Sequence, residues 1–291
     1  PRHRFESLAR VPQPSGGREG ASLVLGGDSV GRMQSLPEGS VSRCYLDPPF
    51  NPGRTQQRTT STVTGSSESG RQGFGGRTYD FTLHSVTSYD DTFANYWEFL
   101  APRLIEAWRL LGPQGTLYLH LDWREVHYAK VAMDQMFGRE NFLNEIIWAY
   151  DYGAKSKSRW PTKHDTILVY VKDPQAYIFN SDDIDREPYM APGLVGPEKA
   201  ARGKLPTDVW WHTIVSPTGK EKTGYATQKP LGILTRIIRA SSRPGDWVLD
   251  AFAGSGTTGH AAAELGRKFV VMDSNPEALE IMERRLGAYL S

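Results

Sequence analysis

The sequence predicts an α/β fold built on a mostly parallel sheet. Short apolar runs alternate with stretches of three- and four-residue apolar spacing, which is the pattern of strand–helix–strand units. Two of the runs end in an aspartate with unusual company. Val41-Ser-Arg-Cys-Tyr-Leu46 delivers Asp47-Pro-Pro-Phe50, and Asp246-Trp-Val-Leu-Asp250 leads into Phe252-Ala-Gly-Ser-Gly-Thr-Thr-Gly259. Ligands of open parallel sheets bind at the carboxyl ends of strands, so these two ends are the candidate functional positions.

Residues 1–20 are polar, basic and rich in Gly and Pro, and predict a flexible arm. Leu23–Asp28 reads as a strand, Met33–Pro37 as a connection and Val41–Leu46 as a strand. From Asn51 to Thr87 the apolar pattern lapses into Gly, Ser, Thr, Gln and Arg. In its first part Arg54, Arg58, Arg71 and Arg77 face the single acid Glu68. A stretch this long predicts a mobile basic loop at 51–87, either a surface insertion or a closure over a polyanion. Helical spacing resumes from Phe93 to Leu111 and is stopped by Gly112-Pro113. Gly115–Asp122 is then a buried strand, Val126–Phe137 a helix, and Glu145–Tyr150 and His164–Lys172 strands. Residues 174–224 are rich in Pro, Gly and charge and predict an insertion outside the main sheet. Regular structure returns with a helix at Pro230–Ala240, a strand at Asp246–Asp250, a helix at Thr258–Leu265, a strand at Arg267–Asp273 and a helix at Pro276–Leu286.

Composition narrows the classes. With 291 residues the chain can bury a substantial core, and with a formal net charge of +1 it must grip an anion through local clusters. No run approaches the ~20 apolar residues of a membrane span, and the first residues carry no apolar signal segment. A single cysteine excludes an intramolecular disulfide and a Cys-rich zinc site. The expectation is a soluble intracellular protein with no bound metal.

Gly254-x-Gly256-x-x-Gly259 follows one strand and opens a helix, and Asp273 ends the next strand. Glycines let the backbone approach a ligand there, and the acid can accept from ribose hydroxyls. A dinucleotide fits this turn as well as S-adenosylmethionine does. Asp250 favours the latter, because a carboxylate suits a cationic amino group better than a pyrophosphate. Asp47-Pro48-Pro49-Phe50 suits a nucleobase amine, whose lone pair is delocalised into the ring. A carboxylate and the Pro48 carbonyl accepting its two N–H bonds would free that lone pair, and Phe50 would stack on the base.

These motifs do not stand alone. Asp47-Pro-Pro-Phe-Asn51, Tyr118-Leu-His-Leu-Asp122, Phe142-Leu-Asn-Glu-Ile-Ile-Trp148, His164-Asp-Thr-Ile-Leu-Val-Tyr170, Thr227-Gln-Lys-Pro230 and Val248-Leu-Asp-Ala-Phe-Ala-Gly-Ser-Gly-Thr-Thr258 occur in that order. In this the chain resembles the β-class DNA amino-methyltransferases of restriction–modification systems, over most of residues 22–290. The resemblance implies a Rossmann-like, class I S-adenosylmethionine-dependent methyltransferase fold of permuted motif order. Two halves, 21–173 (catalytic) and 225–291 (cofactor-binding), would flank a target-recognition region at 174–224. It places the cofactor against Asp28, Lys229, Asp250, Phe252, Ala253, Gly254, Ser255, Gly256, Thr257, Thr258, Asp273 and Ser274. It also implies double-stranded DNA as partner, a homodimer, a cognate restriction endonuclease, and a cytoplasmic, nucleoid-associated bacterial setting. Phe50 departs from the commoner tyrosine but keeps the stacking face. Asp47 is commoner among adenine N6 enzymes and serine among cytosine N4 enzymes, so adenine is preferred and cytosine N4 is the alternative.

Other residues carry weaker signals. Arg54 and Arg58 of the basic loop, with Lys155, Lys157, Arg159 and Lys163 around Trp160, suit DNA phosphates. Cys44 reads as a packed thiol, His120 and Asp122 as a buried polar pair, and Trp210-Trp211 as either a DNA wedge or a core anchor. His164 and His212 are too isolated for a metal site. An RNA or protein-glutamine methyltransferase, the more distant alternative, places its glycine motif first in the chain, and here it comes last.

Overall fold

The computed structural model describes residues 21–50 and 96–290 except 152, 154, 217 and 218, plus the backbone of strands at 56–66, 71–72 and 78–89. The predicted arm at 1–20, Arg54 and Arg77 lie outside the described residues. The chain divides into two units, Pro49–Tyr96 and the remainder.

The larger unit is built on an eight-stranded sheet. In chain order its strands are β1 (Leu23–Gly26), β2 (Val41–Leu46), β6 (Leu111–Leu121), β7 (Phe142–Ala149), β8 (His164–Val171), β9 (Val209–Trp211), β10 (Trp247–Asp250) and β11 (Lys268–Asp273). Their order across the sheet is β1-β11-β10-β2-β6-β8-β7-β9. Only β8 opposes its neighbours; all the other pairings are parallel. The predicted α/β sheet is therefore present. Helices α1 (Ser29–Gln34), α2 (Tyr96–Leu110), α3 (Val126–Phe137), α4 (Pro197–Arg202), α5 (Leu231–Ser241) and α6 (Thr257–Glu264) lie between strands, and α7 (Pro276–Leu286) follows the last.

Burial explains the strand composition. β2, β6, β8 and β11 each have a strand on both sides and read as near-continuous apolar runs, as strands covered on both faces do. The C-terminus of α5 lacks a glycine cap, and its carbonyls are satisfied from elsewhere. Fully buried Arg43 donates to the Ile237 and Ile238 oxygens at 2.5 and 3.3 Å, and Asn180 Nδ2 donates to Arg239 and Ser242 oxygens. Burial lowers the Arg43 pKa to about 10, and the guanidinium sits where the helix dipole is negative.

Three expectations need correction. The connection after β1 contains α1, whose N-terminus is capped by Asp28 accepting from Val30 and Gly31 N–H; a single turn this polar shows no apolar period. The 174–224 region is not wholly outside the sheet, because β9 adds to the edge beside β7. Three residues are too few to show a strand period, and Trp210 joins the core. The region is also fastened to α5 by the Arg236–Asp185 pair. Finally, 51–87 is not a loop throughout. In the smaller unit β3 (Gln56–Ser66) and β5 (Thr78–Tyr89) form an antiparallel pair, with β4 (Arg71–Gln72) on the other side of β5. The β-branched run Thr59-Thr-Ser-Thr-Val-Thr64 favours a strand, and its polar surface hid it. Arg58 and Arg71 lie on β3 and β4.

Candidate active site

The parallel topology lines up carboxylates along one rim of the sheet. Gly26 of β1 pairs with Asp273 of β11, so Asp28 lies just past the same edge. Asp250 ends β10 between Val271 and Tyr45, and Asp47 lies two residues beyond Tyr45 on β2. β8 runs the other way and brings its first residues, His164 and Asp165, to the edge where its neighbours end.

On the β10–β11 side the glycine turn is braced by acids. Asp250 is buried and accepts from Phe252 N–H at 2.9 Å and Thr258 Oγ1 at 2.5 Å. Burial, outweighing those bonds and aided by repulsion from Asp47 and Asp273, pushes its pKa up to about 7. Asp273 accepts from Gly254 N–H and Asn275 N–H, both at 2.8 Å, and burial raises its pKa too. Gly254 and Gly256 have φ of +51° and +74°, which L side chains rarely adopt. Ala253, Ser255, Thr257 and Thr258 are buried in the turn, Phe252 packs against Phe99, and Ser274 is exposed. Buried acids driven above their ordinary range, beside a tight backbone turn, fit a ligand that brings a positive charge.

On the β2 side Asp47 is nearly buried. Its Oδ2 lies 2.6 Å from Lys229 Nζ, and its Oδ1 makes no hydrogen bond. Lys229, expected among the cofactor residues, thus lies against the catalytic motif. Its backbone is fixed by Gln228, which accepts from Thr223 and donates to the Glu221 carbonyl just before α5 begins. Pro48 is buried. In the smaller unit the Pro49 carbonyl accepts from Tyr96 Oη at 2.7 Å.

Not every expected residue joins this cluster. Asp28 spends its carboxylate on the α1 N-terminus and on Arg103. His120 and Asp122 do not pair with each other. Asp122 binds Arg124, because β6 ends at Leu121 and the chain has already turned, whereas His120 faces Tyr45 and Asp165. Cys44 is a packed thiol beside Ala107, and burial pushes its pKa up. Lys155, Lys157 and Arg159 are exposed after β7 on the same rim, with Trp160 beside them, and Lys163 leans on the Asp151 carbonyl. Trp210 is the core anchor, with its Nε1 donating to the Thr207 carbonyl, and Trp211 is exposed.

The fold is that of a class I methyltransferase. Solved structures similar to the chain include an M1.HpyAVI–SAM complex (TM-score 0.58, 21% identity, 90% of this chain and 98% of that one). Another is the cytosine-N4-specific PvuII DNA methyltransferase (TM-score 0.60, 16% identity, 91% and 86%). The family model described as DNA methylase, covering N6 and N4 methyltransferases, matches residues 41–284, and the chain belongs to that family. Among relatives, the DNA adenine methyltransferase YhdJ of Escherichia coli (strain K12) is 29% identical over 91% of this chain and 83% of its own length. The type II methyltransferase M.HpaI of Haemophilus parainfluenzae is 29% identical over 90% and 73%.

Proposed function

We propose that this DNA methyltransferase modifies the exocyclic amino group of a base flipped out of duplex DNA, with adenine N6 as its target. The observation that carries the reading is Asp47 Oδ1, a buried carboxylate oxygen without a hydrogen bond, next to an oxygen already neutralised by Lys229. Such an oxygen suits one amino N–H, and the Pro48 carbonyl suits the other. Phe50, next but one in the chain, supplies a stacking face. S-adenosylmethionine supplies an electrophilic methyl group when bound. Asp250 would balance its positive charge, Asp273 would accept from its ribose, and the Phe252–Thr258 turn would enclose it. Flipping follows from reach, because a paired amino group is already engaged with its partner base.

The experiment is transfer of a labelled methyl group to duplex DNA, followed by digestion to nucleosides and mass spectrometry. N6-methyladenine is expected and is supported by the likeness to an adenine methyltransferase. N4-methylcytosine would establish the second reading, which the likeness to the PvuII enzyme favours. 5-Methylcytosine would refute both, since the thiol of Cys44 is packed in the core.

DNA contacts are proposed for Arg54, Arg58 and the 155–163 cluster, with base recognition by 174–224. Neutralising Lys155, Lys157, Arg159 and Lys163 together is expected to weaken binding to all duplexes alike. Each lost phosphate contact should reduce the slope of log affinity against log salt by ~0.9. An unchanged slope with affinity lost only at the preferred site would reassign the cluster to base reading. A homodimer, a cognate endonuclease and nucleoid association are proposed with this reading, the first being checked by sedimentation of the purified protein.

A further inference from the structure

A buried acid–base chain beside Asp47 has no part in the function described so far. Three neighbouring strands and the end of a fourth contribute to it: Tyr45 from β2, His120 from β6, Asp165 from β8 and Tyr150 just past the end of β7. The His120 side chain is fully buried. Its Nδ1 lies 2.7 Å from Tyr45 Oη, its Nε2 lies 3.2 Å from Asp165 Oδ2, and Tyr150 Oη donates to Asp165 Oδ1 at 3.1 Å. Trp148 covers the imidazole edge-on. The same Nδ1 is 3.6 Å from Asp47 Oδ1, the oxygen without a hydrogen bond.

The chemistry fixes the direction of this chain. Burial alone would raise the Asp165 pKa, but its hydrogen bonds with His120 and Tyr150, with Lys229 nearby, hold it below the ordinary range. Asp165 is therefore an acceptor only, and the imidazole nitrogen facing it carries a hydrogen. That leaves Nδ1 with a lone pair, to which Tyr45 donates. A basic nitrogen then faces the carboxylate oxygen proposed to hold the amino group, and a second carboxylate stands behind the ring. Bases activated by a third, orienting group have this arrangement. Simple core packing does not require it, since two carboxylates, two phenols and an imidazole are costly to bury together.

We propose that His120 is the outlet for the proton displaced from the target amino group, a positioning residue acting through Asp47. The inference rests on Asp47 being the group that holds that amine. An N–H bond of the methylated nitrogen breaks, its electron pair stays on nitrogen, and an O–H bond forms at Asp47 Oδ1. Asp47 returns to the carboxylate by giving that proton to His120 Nδ1. The imidazolium then lies between Asp47 and Asp165, with Tyr45 turned to accept, and once the methylated base has left the proton returns to Asp47, which is 13% exposed, and passes from it to solvent. Groups facing His120 include Tyr45 on β2 and Asp47 just past it, Asp165 on β8, and Trp148 on β7 with Tyr150 just past it, and Lys229 stands on the far side of Asp47.

The test compares wild type with His120→Gln, His120→Asn and Asp165→Asn in the full chain. The readouts are single-turnover methyl transfer against pH, calorimetric S-adenosylmethionine affinity without DNA, melting temperature, and ¹⁵N NMR of the ligand-free imidazoles. General acid–base groups contribute on the order of 10²-fold or more. The His120 variants are therefore expected to lose ~10²-fold in transfer rate at neutral pH, with cofactor affinity and melting temperature near wild type. NMR is also expected to place the resting proton of His120 on Nε2. Transfer within about threefold of wild type at every pH, a resting proton on Nδ1, or a rate loss matched by lost cofactor affinity and stability would each overturn the proposal. If Asp47→Ala is inactive while the His120 variants are active, only the outlet fails. If Asp47→Ala is itself active, the reading of Asp47 fails with it.

Discussion

Asp47→Ala is expected to nearly abolish methyl transfer while leaving S-adenosylmethionine affinity within a few-fold of wild type. The amine of a nucleobase needs its N–H bonds held to become nucleophilic, and Asp47 Oδ1 is the buried oxygen free to hold one. A loss on the order of 10³-fold or more corresponds to ~4 kcal/mol of transition-state stabilisation. The cofactor side of the rim is braced separately, by Asp250 and Asp273 acting on the glycine turn, so it should survive the substitution. The variant does leave Lys229 without its carboxylate. Asp47→Asn, which keeps the volume and one acceptor, guards against a merely disturbed Lys229. The decisive measurements are single-turnover transfer and calorimetry on the same preparations; a variant that turns over normally would remove Asp47 from the chemistry.

The second large effect is a pH dependence centred on Asp250. Its carboxyl is raised from 3.8 to about 7 by burial, so the folded protein holds a proton that the unfolded chain releases. The stability this group contributes is full below pH ~4, falls as the pH rises and is gone above ~7. Each unit of that shift is worth ~1.4 kcal/mol, so the ligand-free protein should lose a few kcal/mol over the window. Asp250→Asn should flatten the loss. Binding of a cation reverses the sign, because the carboxylate must ionise to meet it. S-adenosylmethionine affinity should therefore climb with pH until ~7 and then level off, and the climb should vanish in Asp250→Asn. Melting curves and calorimetry at several pH values check both halves. Superimposable pH profiles for wild type and variant would show that Asp250 titrates elsewhere or not at all.

Much of the scaffold was legible because local signals and burial agree. Val41–Leu46, Val126–Phe137 and Pro276–Leu286 match β2, α3 and α7 end to end. In each, an apolar period meets a clear stop: the Asp-Pro-Pro turn, Gly138 and Gly287. Where the period was too short or too polar to show, as in α1, β9 and the β3–β5 pair, the elements were missed. The rim carboxylates were legible for a different reason, since Asp47, Asp250 and Asp273 each terminate a run. The chain from Tyr45 through His120 to Asp165 and Tyr150 was not. Its members come from strands whose order, β2-β6-β8-β7, and whose single reversal are decided by tertiary packing. The block His164-Asp165 stands out as a motif, yet nothing in it says which histidine it will meet.

The glycine turn serves two masters. A methyl group added at Gly256 would meet Met282 at 2.8 Å and Leu286 at 3.1 Å, and one at Gly259 would meet Leu286 at 2.9 Å and Val271 at 3.2 Å. Those neighbours belong to α7 and β11, so two of the three glycines are demanded by the way the last helix seats on the sheet. A descendant of this chain that had lost all chemistry would still be under pressure to keep Gly256 and Gly259 for as long as it kept α7. Asp47 is different, because its Oδ1 meets no hydrogen-bonding need of the fold and drift would discard it early, whereas Asp250 also braces the turn through Phe252 and Thr258. In judging whether a distant cousin is still an enzyme, Asp47 is the informative position and Gly256 and Gly259 are not.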